Sequence, residues 1–245
     1  MKIYLGTVGL EKNRWGSRMP SFCVSNYMYK AKAYGFDGIE LWQEHLTKAD
    51  SEEYKKICNS GIPIIFSTYC TFENGVTEEM KQIAKCITDC NAHAVKFNLG
   101  TESYDIENQI ECLMSWVALL PTNVDMYCEC HAGTYMSDID NAKRILERLG
   151  SRYYAIVHTN LKETSFEHYQ NTLGSKIVHV HSQTRNENNE TVMLSYYNEQ
   201  NKNRIEKIKS IENIRSITLE FTEESSNVEK SFEHMCNDYS FIIRI

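Results

Sequence analysis

The feature that most constrains this chain is a beat. Short β-branched and aromatic runs alternate with helix-patterned stretches, eight times over. The runs cover residues 2–9, 36–42, 62–70, 92–100, 124–132, 153–159, 176–183 and 216–222. Helical patterns fall near 23–34, 51–59, 76–90, 106–119, 138–149, 165–173, 201–211 and 228–241. The runs are almost continuously apolar, as strands buried on both faces must be, and this calls for a parallel sheet covered by helices.

Eight such units in 245 residues match a closed barrel, which removes both sheet edges. The expected fold is therefore α/β, a single-domain (β/α)8 TIM barrel over residues 1–245. An open doubly wound sheet is the alternative, but no GxGxxG or GxxxxGK[ST] run follows the first strand. The polar stretch 184–199, with Asn186, Asn188, Asn189 and Asn198, is the longest insertion. Following the seventh strand, it would lie over the barrel mouth as a lid.

Composition narrows the partners. The net charge of -7 offers no broad positive field, so nucleic acid is disfavoured. No apolar run approaches the roughly 20 residues a bilayer span requires, and residues 1–10 run into a strand pattern without a signal-peptide layout. A soluble cytoplasmic protein is expected, and a homo-oligomer is compatible with it. Nine cysteines without a CxxC pair read as reduced thiols. Cys128 and Cys130 alternate with Glu129 and so face away from it, as packing residues.

Barrel enzymes carry their chemistry at the C-terminal strand ends. Here the fifth run ends Glu129-Cys130-His131, the sixth in His158, the seventh in His179-Val180-His181 and the eighth in Glu220, while the second contributes Glu40. Any one of these could simply hydrogen-bond in the rim. Several at equivalent positions, with no arginine or lysine ending runs five to eight, call for a divalent cation to offset the buried charge. Carboxylate oxygen with imidazole nitrogen suits Mn, Fe, Co or Zn better than Ca or an all-oxygen Mg site.

With these residues in place, the chain resembles the xylose-isomerase-like barrels, a group including sugar-phosphate isomerases and epimerases, hydroxypyruvate isomerase, inosose dehydratase and, more distantly, endonuclease IV. The resemblance is carried by Tyr34-Gly35-Phe36-Asp37-Gly38-Ile39-Glu40-Leu41-Trp42, by Glu129-Cys130-His131, by Val178-His179-Val180-His181 and by Ile217-Thr218-Leu219-Glu220. It implies a metal held by Glu129, His181 and Glu220. In place of the family's Asp-x-x-His on strand six stands His158-Thr159-Asn160-Leu161, and in place of its common Lys-Asp stands Ser182-Gln183. His158 as fourth ligand would lower the negative charge and favour a softer metal such as Zn or Fe.

The resemblance also implies one divalent ion (Mn, Zn, Co, Fe or Mg) and proton abstraction alpha to a carbonyl, with Glu129 and Glu220 as base and acid. His131, His45, Lys96 and Arg185 are candidate contacts for a small sugar or sugar phosphate, the last two for phosphate or carboxylate. Trp42, Tyr69 and Phe97 could offer stacking faces but more often pack. A dehydratase or lyase begins with the same proton transfer. A phosphodiesterase resembling endonuclease IV would need more ligands, and a binding protein with a degenerate metal site is the non-catalytic alternative.

Overall fold

The computed structural model describes residues 1–100, 105–160 and 163–245. Eight parallel strands close a barrel, as the beat predicts: β1 (Lys2–Gly6), β2 (Gly38–Trp42), β3 (Ile64–Ser67), β4 (Ala94–Phe97), β5 (Asp125–Glu129), β6 (Tyr153–His158), β7 (Ile177–Ser182) and β10 (Ser216–Leu219). Between the last two lies a small antiparallel hairpin, β8 (Thr184–Arg185) with β9 (Thr191–Val192). Strands pair in chain order around the wall, and β10 closes on β1. Most apolar runs overshoot their strands, because the ladder ends where the chain leaves the wall.

The surrounding helices are α1 (Val24–Tyr34), α2 (Glu44–Thr47), α3 (Ser51–Cys58), α4 (Glu78–Asp89), α5 (Ile106–Val117), α6 (Ile139–Leu149), α7 (Glu163–Leu173), α8 (Asn198–Lys209) and α9 (Val228–Arg244). Asp50, Thr77, Asp105, Asp138 and Asn227 cap α3, α4, α5, α6 and α9 by accepting first-turn backbone N–H groups. The one-turn α2 has no counterpart in the sequence pattern, and α8 starts three residues earlier than its pattern suggests. Among the described residues no helix is long and apolar enough to cross a membrane. All nine cysteines are free, and Cys128 and Cys130 pack in the outer core as expected.

Period-two alternation splits the barrel wall into two environments. Ile3, Leu5, Ile39, Leu41, Ile64 and Phe66 face the helices in the main core. Tyr4, Ile65, Ala94, Tyr127, Ile156 and Val178 form a separate interior cluster. Further along the same inward faces stand Glu40, Lys96, Glu129, His158 and His181, all buried.

Two local devices set this arrangement. The β6/β7 register shifts between Ala155 and Ile156, so that His158 comes to lie opposite His181. Across the shift both Val178 and His179 serve the interior, the latter with its ring stacked on Tyr127 at 5.5 Å. Gly38 is the second device: a Cβ there would meet the Pro63 carbonyl oxygen at 2.4 Å and the Tyr4 ring at 2.5 Å. Only glycine lets Tyr4 fill the barrel at this level.

Candidate functional site

Glu129 ends β5, His158 ends β6, His181 lies near the end of β7 and Glu220 directly follows β10. All four are buried. Each offers one ligand atom to a group whose members lie within 4.8 Å of one another. Glu129 Oε1 is 2.8 Å from His158 Nε2 and 3.3 Å from His181 Nδ1, and His181 Nδ1 is 3.4 Å from Glu220 Oε1.

These short separations are not hydrogen bonds. Glu129 Oε1, His158 Nε2, His181 Nδ1 and Glu220 Oε2 are all buried without a hydrogen-bond partner. Such orphans each cost on the order of 1–3 kcal/mol, so Glu129 Oε1, His158 Nε2 and His181 Nδ1 clustered in this way are a heavy liability in a protein interior. They fit a cation well. Ligand atoms around a tetrahedral Zn-like ion lie about 3.3 Å apart, within the range seen here.

The surrounding contacts set the imidazole tautomers. His181 Nε2–H donates to Glu40 Oε2 at 2.9 Å, which leaves the Nδ1 lone pair facing the site. His158 Nδ1 lies 3.1 Å from the Gln183 side-chain amide, whose Oε1 is buried without a partner. Turning that amide over lets Oε1 accept from Nδ1–H and frees the Nε2 lone pair. Deeper in the barrel, His179 bonds to Ser216 Oγ at 2.7 Å and Thr218 Oγ1 at 2.9 Å.

Electrostatics favour a cation as well. Among the described residues, Glu40, Glu129 and Glu220 face a single ammonium, Lys96, whose Nζ is 2.7 Å from Glu129 Oε2. Burial opposes ionisation of Glu129, yet Lys96, His158 and His181 outweigh it and hold the carboxyl well below its usual range. Burial likewise opposes the charged form of Glu40, and His181 and His179 reverse the balance. Burial alone would push the His181 imidazole down, but Glu40, Glu220 and Glu129 drive it well up. A cation that displaces the His181 proton leaves both imidazoles neutral, and among the described residues three carboxylates and one ammonium then leave two negative charges for a divalent ion to cancel.

The structure brings together Glu129, His158, His181 and Glu220, with Lys96 against Glu129. Lys96 is buried, with its Nζ 2.7 Å from Glu129 Oε2. His45, on α2, is buried against Thr7 Oγ1 at 3.1 Å and Glu11 Oε2 at 3.4 Å, between Phe22 and Trp42. His131 is exposed beyond the end of β5, with its ring 6.1 Å from that of His158. Arg185 sits on the hairpin, donating to the Asn189 carbonyl at 2.9 Å. Leu161 lies outside the described residues.

Phe97 and Trp42 are packing residues, fully buried. Tyr69 is half-buried with its ring 5.4 Å from Lys96 Nζ, and so belongs to the site's surroundings. Sequence reasoning gave no role to Gln183 or to Tyr69's position over Lys96. The signal for Gln183 was present, since it stands at the departure following His181-Ser182.

No model of a known family matches the sequence, and no curated protein matches it. Solved structures do match in fold. A 3-keto-D-glucoside 4-epimerase from E. coli superposes with a TM-score of 0.60 at 13% identity, covering 100% of both chains. A xylose isomerase domain protein from Alicyclobacillus acidocaldarius gives 0.56 at 12% identity, covering 94% of this chain and 96% of its own. Endonuclease IV from Thermus thermophilus gives 0.63 at 9% identity, covering 91% and 95%. The chain has the fold of the xylose-isomerase-like barrels, and at these identities the likeness is one of fold.

Proposed function

We propose that this chain is a metal-dependent isomerase or epimerase of a small sugar-like substrate, working by proton abstraction alpha to a carbonyl through an enediolate. The observation that carries the reading is the convergence of Glu129, His158, His181 and Glu220 at the barrel mouth, with Glu129 Oε1, His158 Nε2 and His181 Nδ1 buried and unpartnered. The epimerase and xylose-isomerase-type folds matched above support it.

When bound, a divalent cation would polarise the substrate's carbonyl and hydroxyl oxygens as a Lewis acid. Glu220 has no lysine partner among the described residues and takes the proton from the substrate carbon. Glu129, with the Lys96 ammonium at its second oxygen, stands on the returning side. Glu40 holds the His181 ring in place, and Gln183 does the same for His158.

Elemental analysis of the purified chain, followed by solvent deuterium exchange into ketoses, tests the proposal. Exchange should be lost in both Glu129→Gln and Glu220→Gln, by about 100-fold or more, while circular dichroism stays unchanged. Retained exchange in both variants would refute the assignment.

A further inference from the structure

Beyond the C-terminal ends of β1, β7 and β10 lies a cavity of about 570 Å³ that the reaction just described does not use. Its walls come from the loop after β1 (Arg14, Trp15), the β8–β9 hairpin (Arg185) and the segment after β10 (Phe221). Phe221 directly follows Glu220, and Arg185 lies four residues beyond His181, so two of the three walls are direct continuations of ligand-bearing strands.

The wall is aromatic and polar at once. Trp15 is 70% exposed, which is unusual for so large an apolar side chain, and its ring packs against Phe221 at 6.2 Å. The Arg14 guanidinium covers both rings, at 5.9 Å from Trp15 and 5.3 Å from Phe221. Arg14 is itself nine-tenths buried, and its Nε carries no hydrogen-bond partner.

The loop bearing Trp15 is already ordered. The buried Glu11 carboxylate accepts from Asn13 N at 3.0 Å and Ser21 N at 2.8 Å, and Arg14 donates to the Glu11 carbonyl at 2.6 Å. A platform held in this way pays little further entropy on binding.

Charge decides what kind of ligand the platform suits. Glu190, Glu223 and Glu224 also line the cavity, and Glu224 is paired with Arg14. Two arginines against three glutamates leave the wall one net negative charge, which repels phosphate. An uncharged polyhydroxylated ring suits it: its C–H face stacks on an aromatic ring, and its hydroxyls find donors and acceptors on arginine and glutamate.

Resting on the isomerase or epimerase reading above, we infer that this cleft binds a second, unphosphorylated sugar unit, so that the substrate is a disaccharide or comparable glycoside whose reacting sugar lies at the metal centre. The cleft then acts as a specificity subsite.

Tryptophan fluorescence offers a clean test, because Trp42 and Trp116, at 1% and 0% exposure, are shielded from added ligand, leaving Trp15 as the reporter. The full chain is titrated with maltose, cellobiose and lactose, and in parallel with glucose and inorganic phosphate. Saturable quenching by at least one disaccharide is expected, with glucose and phosphate much weaker. Calorimetry with that disaccharide should show about tenfold weaker binding to Trp15→Ala and to Phe221→Ala, each checked for fold by circular dichroism. No response to any disaccharide, an equal response to glucose or phosphate, or unchanged affinity in both variants overturns the proposal. Metal content of the same sample reports separately on the centre. A chain that holds its cation but ignores disaccharides overturns the subsite alone, and one that binds them without a cation overturns the reaction reading.

Discussion

At the residue scale, buried charges in this barrel are arranged around partners rather than spread out. Glu40 is the clearest case: it touches no candidate ligand atom of the centre yet accepts from the far nitrogen of His181. Glu40→Gln keeps an acceptor there but loses the charge that makes the ring a strong ligand. Metal affinity should fall by about 10- to 100-fold, as read by competition with a chromophoric chelator, with the fold intact. Lys96 works in the opposite sense, since its ammonium repels a cation sharing Glu129 with it. Lys96→Met should therefore bind the cation about tenfold more tightly or better, while solvent exchange into substrate slows. Weaker metal binding in that variant would contradict the geometry.

At the element scale, the segments that frame the mouth are tied to α9 by one carboxylate. Asp238 accepts from Leu194 N at 2.8 Å, in the turn after the hairpin, and from Thr222 Oγ1 at 2.8 Å, just beyond β10. Burial pushes its pKa up to about 7, against smaller opposing effects of the Leu194 and Thr222 hydrogen bonds. The unfolded chain gives up this proton near pH 4. The stability contributed by protonated Asp238 is thus complete below about pH 4 and is lost as the pH rises to 7. Asp238→Asn can make both contacts without titrating. Its Tm relative to the native chain should rise between pH 5 and pH 8, and thermal melts at the two pH values would expose the opposite trend.

At the scale of the whole molecule, Glu129, His158, His181 and Glu220 come from four wall segments, so a cation held between them would cross-link the barrel. A cation at 100 times its Kd adds about 2.7 kcal/mol, or roughly 5–10 °C in Tm for a chain of this size. Chelator should lower the Tm of metal-loaded protein by that amount, whereas in Glu129→Gln combined with His181→Ala it should change nothing. Scanning calorimetry with and without chelator makes the comparison.

Much of this molecule is legible in its amino-acid sequence alone. The strand and helix beat rests on local periodicity, and so does the placement of Glu129, His158, His181 and Glu220 at strand ends, because alternation along a strand decides which side chains face inward. Even the packing role of Cys128 and Cys130 follows from that rule. What the sequence by itself could not determine is which inward groups meet. Glu40 and His181 are 141 positions apart, and Lys96 joins Glu129 from the neighbouring strand. The β6/β7 register shift, the burial of His45 against Thr7 and the cleft joining Trp15 to Phe221 are likewise decided only when the barrel closes. Closure sets the register and depth of every strand against its neighbours at once, and no local pattern carries that information.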